Sequence, residues 1–97
     1  MAKLRFQLGT WNKSATLNGK DLGTGFLVVE LDNTVAIKNL FKTTFLFNLT
    51  DVKDAAQDGK DLTITTSAGD VIELRAKAID LENLGRLINA ATKAGAA

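Results

Sequence analysis

The sequence predicts a mainly β domain closed by one C-terminal helix, an α+β arrangement, and three observations lead there. Leu4, Phe6 and Leu8 alternate with Lys3, Arg5 and Gln7, the period of two that a strand with one buried face imposes. Short apolar runs recur between turn residues at Asp32-Asn33, Asn39 to Lys42 and Ser67 to Asp70, as in antiparallel hairpins. After Asp80 the period lengthens, and Leu81, Leu84, Leu87, Ile88 and Ala91 fall on one helical stripe opposite Glu82, Asn83, Arg86, Asn89 and Lys93.

Composition narrows the class further. The 97 residues suit a single domain spanning 1–97, with 45% apolar and 24% charged side chains, the balance of a globular protein. Twelve Lys and Arg oppose eleven Asp and Glu, so a net charge of +1 leaves no strong field for nucleic acid or an anionic membrane, and neither partner is expected. The start of the chain lacks the order of a signal peptide and the sequence has no cysteine; the expected location is cytoplasmic.

Taken in order, the first strand is expected over Lys3 to Leu8. Gly9 to Gly25 reads as a long loop with room for a short strand at Ala15 to Leu17. Phe26 to Leu31 and Thr34 to Lys38 form a hairpin about Asp32-Asn33, and Thr43 to Leu49 follows with Phe45, Phe47 and Leu49 pointing into the core. Asp51 to Gly59 is polar and reads as a loop containing a turn of helix. Leu62 and Ile64 then pair with Ile72 and Leu74 across a Gly-containing turn. Asp80 is placed as the N-cap of the last helix, with Ile79 and Leu84 as a hydrophobic staple, and Gly85 as a small residue for close packing on a sheet.

Chemistry is sparse. With no His, Cys or Tyr, nucleophilic and general acid-base catalysis have few side chains to use, so no catalytic residue is expected and the protein is not expected to be an enzyme. Asp54, Asp58 and Gly59 match part of a calcium loop, but Ala56 and Thr65 stand where further ligands are needed, so no metal or other cofactor is expected. Asn18-Gly19-Lys20-Asp21-Leu22 and Asp58-Gly59-Lys60-Asp61-Leu62 look like a repeated motif. Their flanks differ, and turn chemistry used twice explains them.

Surface candidates come from the strand alternation. If Leu27, Val29 and Leu31 face inward, then Phe26 and Val28 face outward beside Ala36, with Leu46 on the outer side of its own strand and Leu40 or Phe41 joining at the corner. Such a set marks a protein interface or is covered by the Gly9 to Gly25 segment. Trp11 either anchors a partner or closes the core.

The succession Gly23-Thr24-Gly25-Phe26-Leu27-Val28-Val29, Asn33 to Lys38, Phe45 to Val52, Leu62 to Leu74 and the helix from Leu81 resembles the pleckstrin-homology-like domains of the GRAM and bacterial PH group. The resemblance implies an antiparallel bent sheet or barrel of six to seven strands capped by the helix, acting as a binding module. The Lys/Arg cluster of lipid-binding members is missing here, where only Lys13 and Lys20 flank the first hairpin. The leading expectation is therefore a non-catalytic module that contacts a protein partner or itself. The alternatives are a virion component or host-directed inhibitor of a phage or mobile element, and a binder of anionic lipid or a small ligand through Lys13, Lys20 and Lys42.

Overall fold

The computed structural model of the protein describes residues 2–9 and 13–96. Among them are nine strands: β1 Leu4–Leu8, β2 Ser14–Leu17, β3 Lys20–Asp21, β4 Gly25–Val29, β5 Thr34–Lys38, β6 Thr43–Asn48, β7 Val52–Asp58, β8 Asp61–Thr66 and β9 Val71–Arg75. A 3-10 turn, Leu49–Asp51, joins β6 to β7, and one helix, α1 Ala78–Ala96, ends the chain. The strands form two antiparallel sheets, ordered β1-β4-β5-β6 and β3-β2-β9-β8-β7.

One core lies between them. The inner side of the first sheet supplies Leu27, Val29, Val35, Ile37 and Phe47, and the second supplies Leu62, Ile64, Ile72 and Leu74. Leu81, Leu84 and Ile88 of α1 complete it. The helix touches β1, the outermost strand of the first sheet, and both β7 and β8 at the opposite margin of the second. Its apolar stripe thus fills a gap that neither sheet can close alone.

The hairpin chemistry explains most of the register. Leu62 opposes Leu74 and Ile64 opposes Ile72, as the alternation requires. The β4–β5 and β8–β9 connections each place a positive φ at their third loop residue, Asn33 at 70° and Gly69 at 92°, the geometry of a three-residue hairpin with a bulged closure. The two similar pentapeptides are turns, but in different frames. Leu17 and Lys20 close the first around Asn18 and Gly19, both at positive φ as a type I′ turn requires. Asp58 and Asp61 close the second around Gly59 and Lys60, where Gly59 alone is positive, as in type II′.

Three expectations change. Asp51 to Gly59 is not a loop: Val52–Asp58 is the outermost strand of the second sheet, exposed along nearly its whole length. Ala, Asp and Gln disfavour strands locally, and here the ladder to β8 overrides them, while Lys53, Asp54 and Asp58 guard the edge. This extended path also separates Asp54 from Asp58 by roughly 13 Å at strand rise, too far to share one ion. In the described part of Gly9 to Gly25 the short strand allowed at Ala15 to Leu17 is present as β2, and the unexpected β3 pairs with it, which brings the strand count above six or seven. Finally, α1 starts two residues before Asp80. The Lys77 carbonyl accepts from the N–H groups of Asp80 and Leu81, so Asp80 lies within the first turn and Ile79 is exposed rather than stapled.

Two glycines make opposite predictions. Gly25 sits at φ 151°, and a Cβ there would stand 2.7 Å from the Lys38 carbonyl oxygen, so Gly25→Ala is expected to destabilise the fold by about 1–3 kcal/mol. Gly85, expected to serve close packing, has open space where its Cβ would be. Gly85→Ala should therefore raise stability by up to about 1 kcal/mol, and paired urea melts of the two variants check both signs.

Candidate functional site: the outer face of the first sheet

The outer face is built by cross-strand rows. In one, Arg5 opposes Val28, Val28 opposes Ala36, and Ala36 opposes Phe45; in the next, Gln7 opposes Phe26, Phe26 opposes Lys38, and Lys38 opposes Thr43. Phe26 is exposed on this face. Val28 lies on the expected side but is only 6% exposed, since it sits on a central strand beneath larger neighbours. It forms the floor of the face rather than its contact surface.

Leu46 is a correction. The β5–β6 register shifts between Val35, opposite Phe47, and Ala36, opposite Phe45, leaving Leu46 as the extra residue of a bulge. An inserted residue reverses which side chains face the core beyond it. Leu46 is accordingly 6% exposed and belongs to the core, while Phe45, expected inside, is 60% exposed on the outer face. Leu31 is another: β4 ends at Val29, and Leu31 projects from the turn.

The corner after β5 adds two side chains. The Asn39 side-chain oxygen accepts from the Phe41 N–H at 2.9 Å, and the Asn39 N–H donates to the Lys42 carbonyl at 2.9 Å. This closed turn holds out Leu40 and Phe41, 93% and 95% exposed. Two open depressions meet at Phe26, Asn39 and Leu40. One, of about 530 Å³, is lined also by Arg5, Val28, Glu30 and Lys38; the other, of about 470 Å³, by Gln7, Thr24, Gly25 and Phe41.

Charge on this face is mostly positive. The Arg5 guanidinium lies over the Phe26 ring, 4.2 Å from its centroid, a cation–π contact. Lys38 pairs with Glu30, and Lys3 donates to the Asn33 side chain. The described part of the Gly9 to Gly25 segment does not cover the face, since β2 and β3 lie in the other sheet. Trp11 falls outside the described residues.

The three lysines considered for ligand binding do not converge. Lys13 precedes β2, Lys20 opens β3 beyond the opposite end of β2, and Lys42 ends the β5–β6 corner. The displaced titrations also lie elsewhere. Hydrogen bonds from Thr34, side chain first and backbone second, hold the Asp32 carboxyl below its usual range, and the hydrogen bond from Arg75 does the same for Asp61. Sequence reasoning found Phe26 and Phe41 but missed Phe45, and the continuous Phe45-Leu46-Phe47 run carries no local mark of a bulge.

No family model, curated protein or solved structure matches the chain.

The bulge can be tested directly. Leu46→Ala is expected to cost about 2–5 kcal/mol, as for a buried leucine, whereas Phe45→Ala should stay within about 0.5–1 kcal/mol of wild type; the reverse order in chemical denaturation would refute the register. The pH dependence follows from Asp32 and Asp61. Their folded pKa values are lowered, so the stability they add is present above the unfolded value of about 3.9 and is lost as pH falls through the folded values. With no His in the sequence, thermal melts should be nearly flat between about pH 5 and 8 and decline below about pH 4.

Proposed function

We propose that the protein is a small non-catalytic binding module that works through protein contacts on the outer face of the first sheet. The observation that carries this reading is the exposure of Phe26, Leu40 and Phe41 around two adjoining depressions, with Phe45 exposed on the edge strand of the same sheet face. Small monomeric proteins rarely leave several large apolar side chains together in water, and a patch rimmed by charge marks an interaction site. The corner geometry supports the same reading, because a turn closed by its own Asn39 presents Leu40 and Phe41 with little ordering left to do on binding.

The PH-like reading is part of this proposal. A four-strand antiparallel sheet, a following β7-β8-β9 meander and a terminal helix spanning both support it, with β2 and β3 as an added hairpin. A reducing cellular interior suits a chain without cysteine.

The test is affinity capture from the source cells with wild-type protein and with the Phe26→Ser/Phe41→Ser double variant, both checked for unchanged melting. At least one protein should be retained by wild type and fall about tenfold in the variant, the scale of losing one hot-spot residue. Identical capture profiles would refute the assignment of function to this face.

A further inference from the structure

We infer that the face takes an acidic partner segment, with a carboxylate received by Arg5 and two bulky apolar side chains seated in the depressions on either side of Phe26 and Leu40. This rests on the protein-contact reading above and names the chemistry of the partner.

The guanidinium is the central feature. The guanidinium carbon stands 4.2 Å from the Phe26 ring centroid, a cation–π contact that tethers the head group beside the ring. Among the described residues Arg5 makes no ion pair. Its planar fork of donors matches a carboxylate with two parallel hydrogen bonds, and the apolar floor of Val28 lowers the competing hydration. Lys38 is differently placed, since Glu30, the carboxylate among the described residues lining the depressions, already engages it through one oxygen.

Charge selects between occupants. Arg5 and Lys38 line the larger depression with Glu30, Lys42 ends the adjoining corner, and Lys3 lies beside Asp32 at the β4–β5 turn, so cations outnumber carboxylates on and beside the face. A second copy laid face to face would set cations against cations, which costs affinity at short range. A segment carrying Asp or Glu beside its apolar anchors gains where a copy loses. The two depressions share Phe26, Asn39 and Leu40 as a common wall, so two apolar side chains of one segment can enter them together. Bound this way, the carboxylate reaches Arg5 from the side of the larger depression, which Arg5 lines.

A random dodecapeptide library displayed on phage is the probe, selected on the folded protein at low salt. Enriched peptides are expected to carry Asp or Glu within a few residues of two bulky apolar side chains. Binding of the best synthetic peptide should fall about tenfold or more in Arg5→Glu and in Leu40→Ser, and weaken as salt is raised. Leu40 is so exposed that Leu40→Ser cannot act by unfolding the chain. Enrichment of basic or uncharged apolar peptides that still need Leu40 would overturn the acidic preference and leave the protein-contact reading standing. Peptides indifferent to both substitutions would overturn both. Two further results would also defeat the inference: retention on phosphatidylserine-containing vesicles that is lost in Leu40→Ser, and concentration-dependent dimerisation in sedimentation that is lost in the same variant.

Discussion

The apolar stripe of α1 is the constraint on which the fold depends. Two antiparallel sheets, one of four strands and one of five, enclose a single core, and each has an outermost strand beside the gap between them. Leu81, Leu84 and Ile88 enter that gap fully buried, and burial of each large aliphatic group is worth about 1.5–3 kcal/mol. Set against a typical net stability of about 5–15 kcal/mol for a domain, this contribution decides whether the sheets stay together. It also fixes which faces remain outside. Once the inner faces share one core with the helix, the outer face of the first sheet has no element of the described chain to cover it.

What that outer face presents is set by one irregularity. The extra residue at Leu46 lets Phe47 stay opposite Val35 and puts Phe45 opposite Ala36, so the strand keeps two large side chains in the core and sends a third to the surface. A regular ladder would have buried Phe45 and exposed Leu46. Because the bulge lies on β6, at the margin of the sheet, it interrupts only one ladder. The same interruption makes the edge a poorer template for adventitious strand pairing.

The two outer faces of the molecule differ in kind. On the second sheet, Arg75 and Asp61 pair directly, with Thr63, Thr65 and Glu73 on the same or neighbouring rows, a solvated polar surface that needs no partner. On the first, apolar side chains stand beside Arg5, which makes no ion pair among the described residues. Exposed ion pairs contribute little to stability, so the polar face is chiefly a matter of solubility. No described element covers the apolar side chains of the first sheet's outer face.

The sequence by itself determined the elements whose signals are local. Alternation at Leu4, Phe6 and Leu8, the turn residues at Asp32-Asn33 and Ser67 to Asp70, and the helical stripe from Leu81 to Ala91 are each decided within a few residues, because period and turn chemistry are properties of adjacent side chains. The candidate site was legible in part for the same reason: Phe26 and Phe41 follow from strand parity and a corner. The rest depended on partners distant in the chain. Val52–Asp58 is a strand because β8 lies beside it, Phe45 is outside because β6 carries an extra residue against β5, and Gly85 has open space where the packed helix leaves no neighbour within 4 Å of an added Cβ. Ladder register and packing distance arise only when segments remote in sequence meet, so only the tertiary structure could decide them.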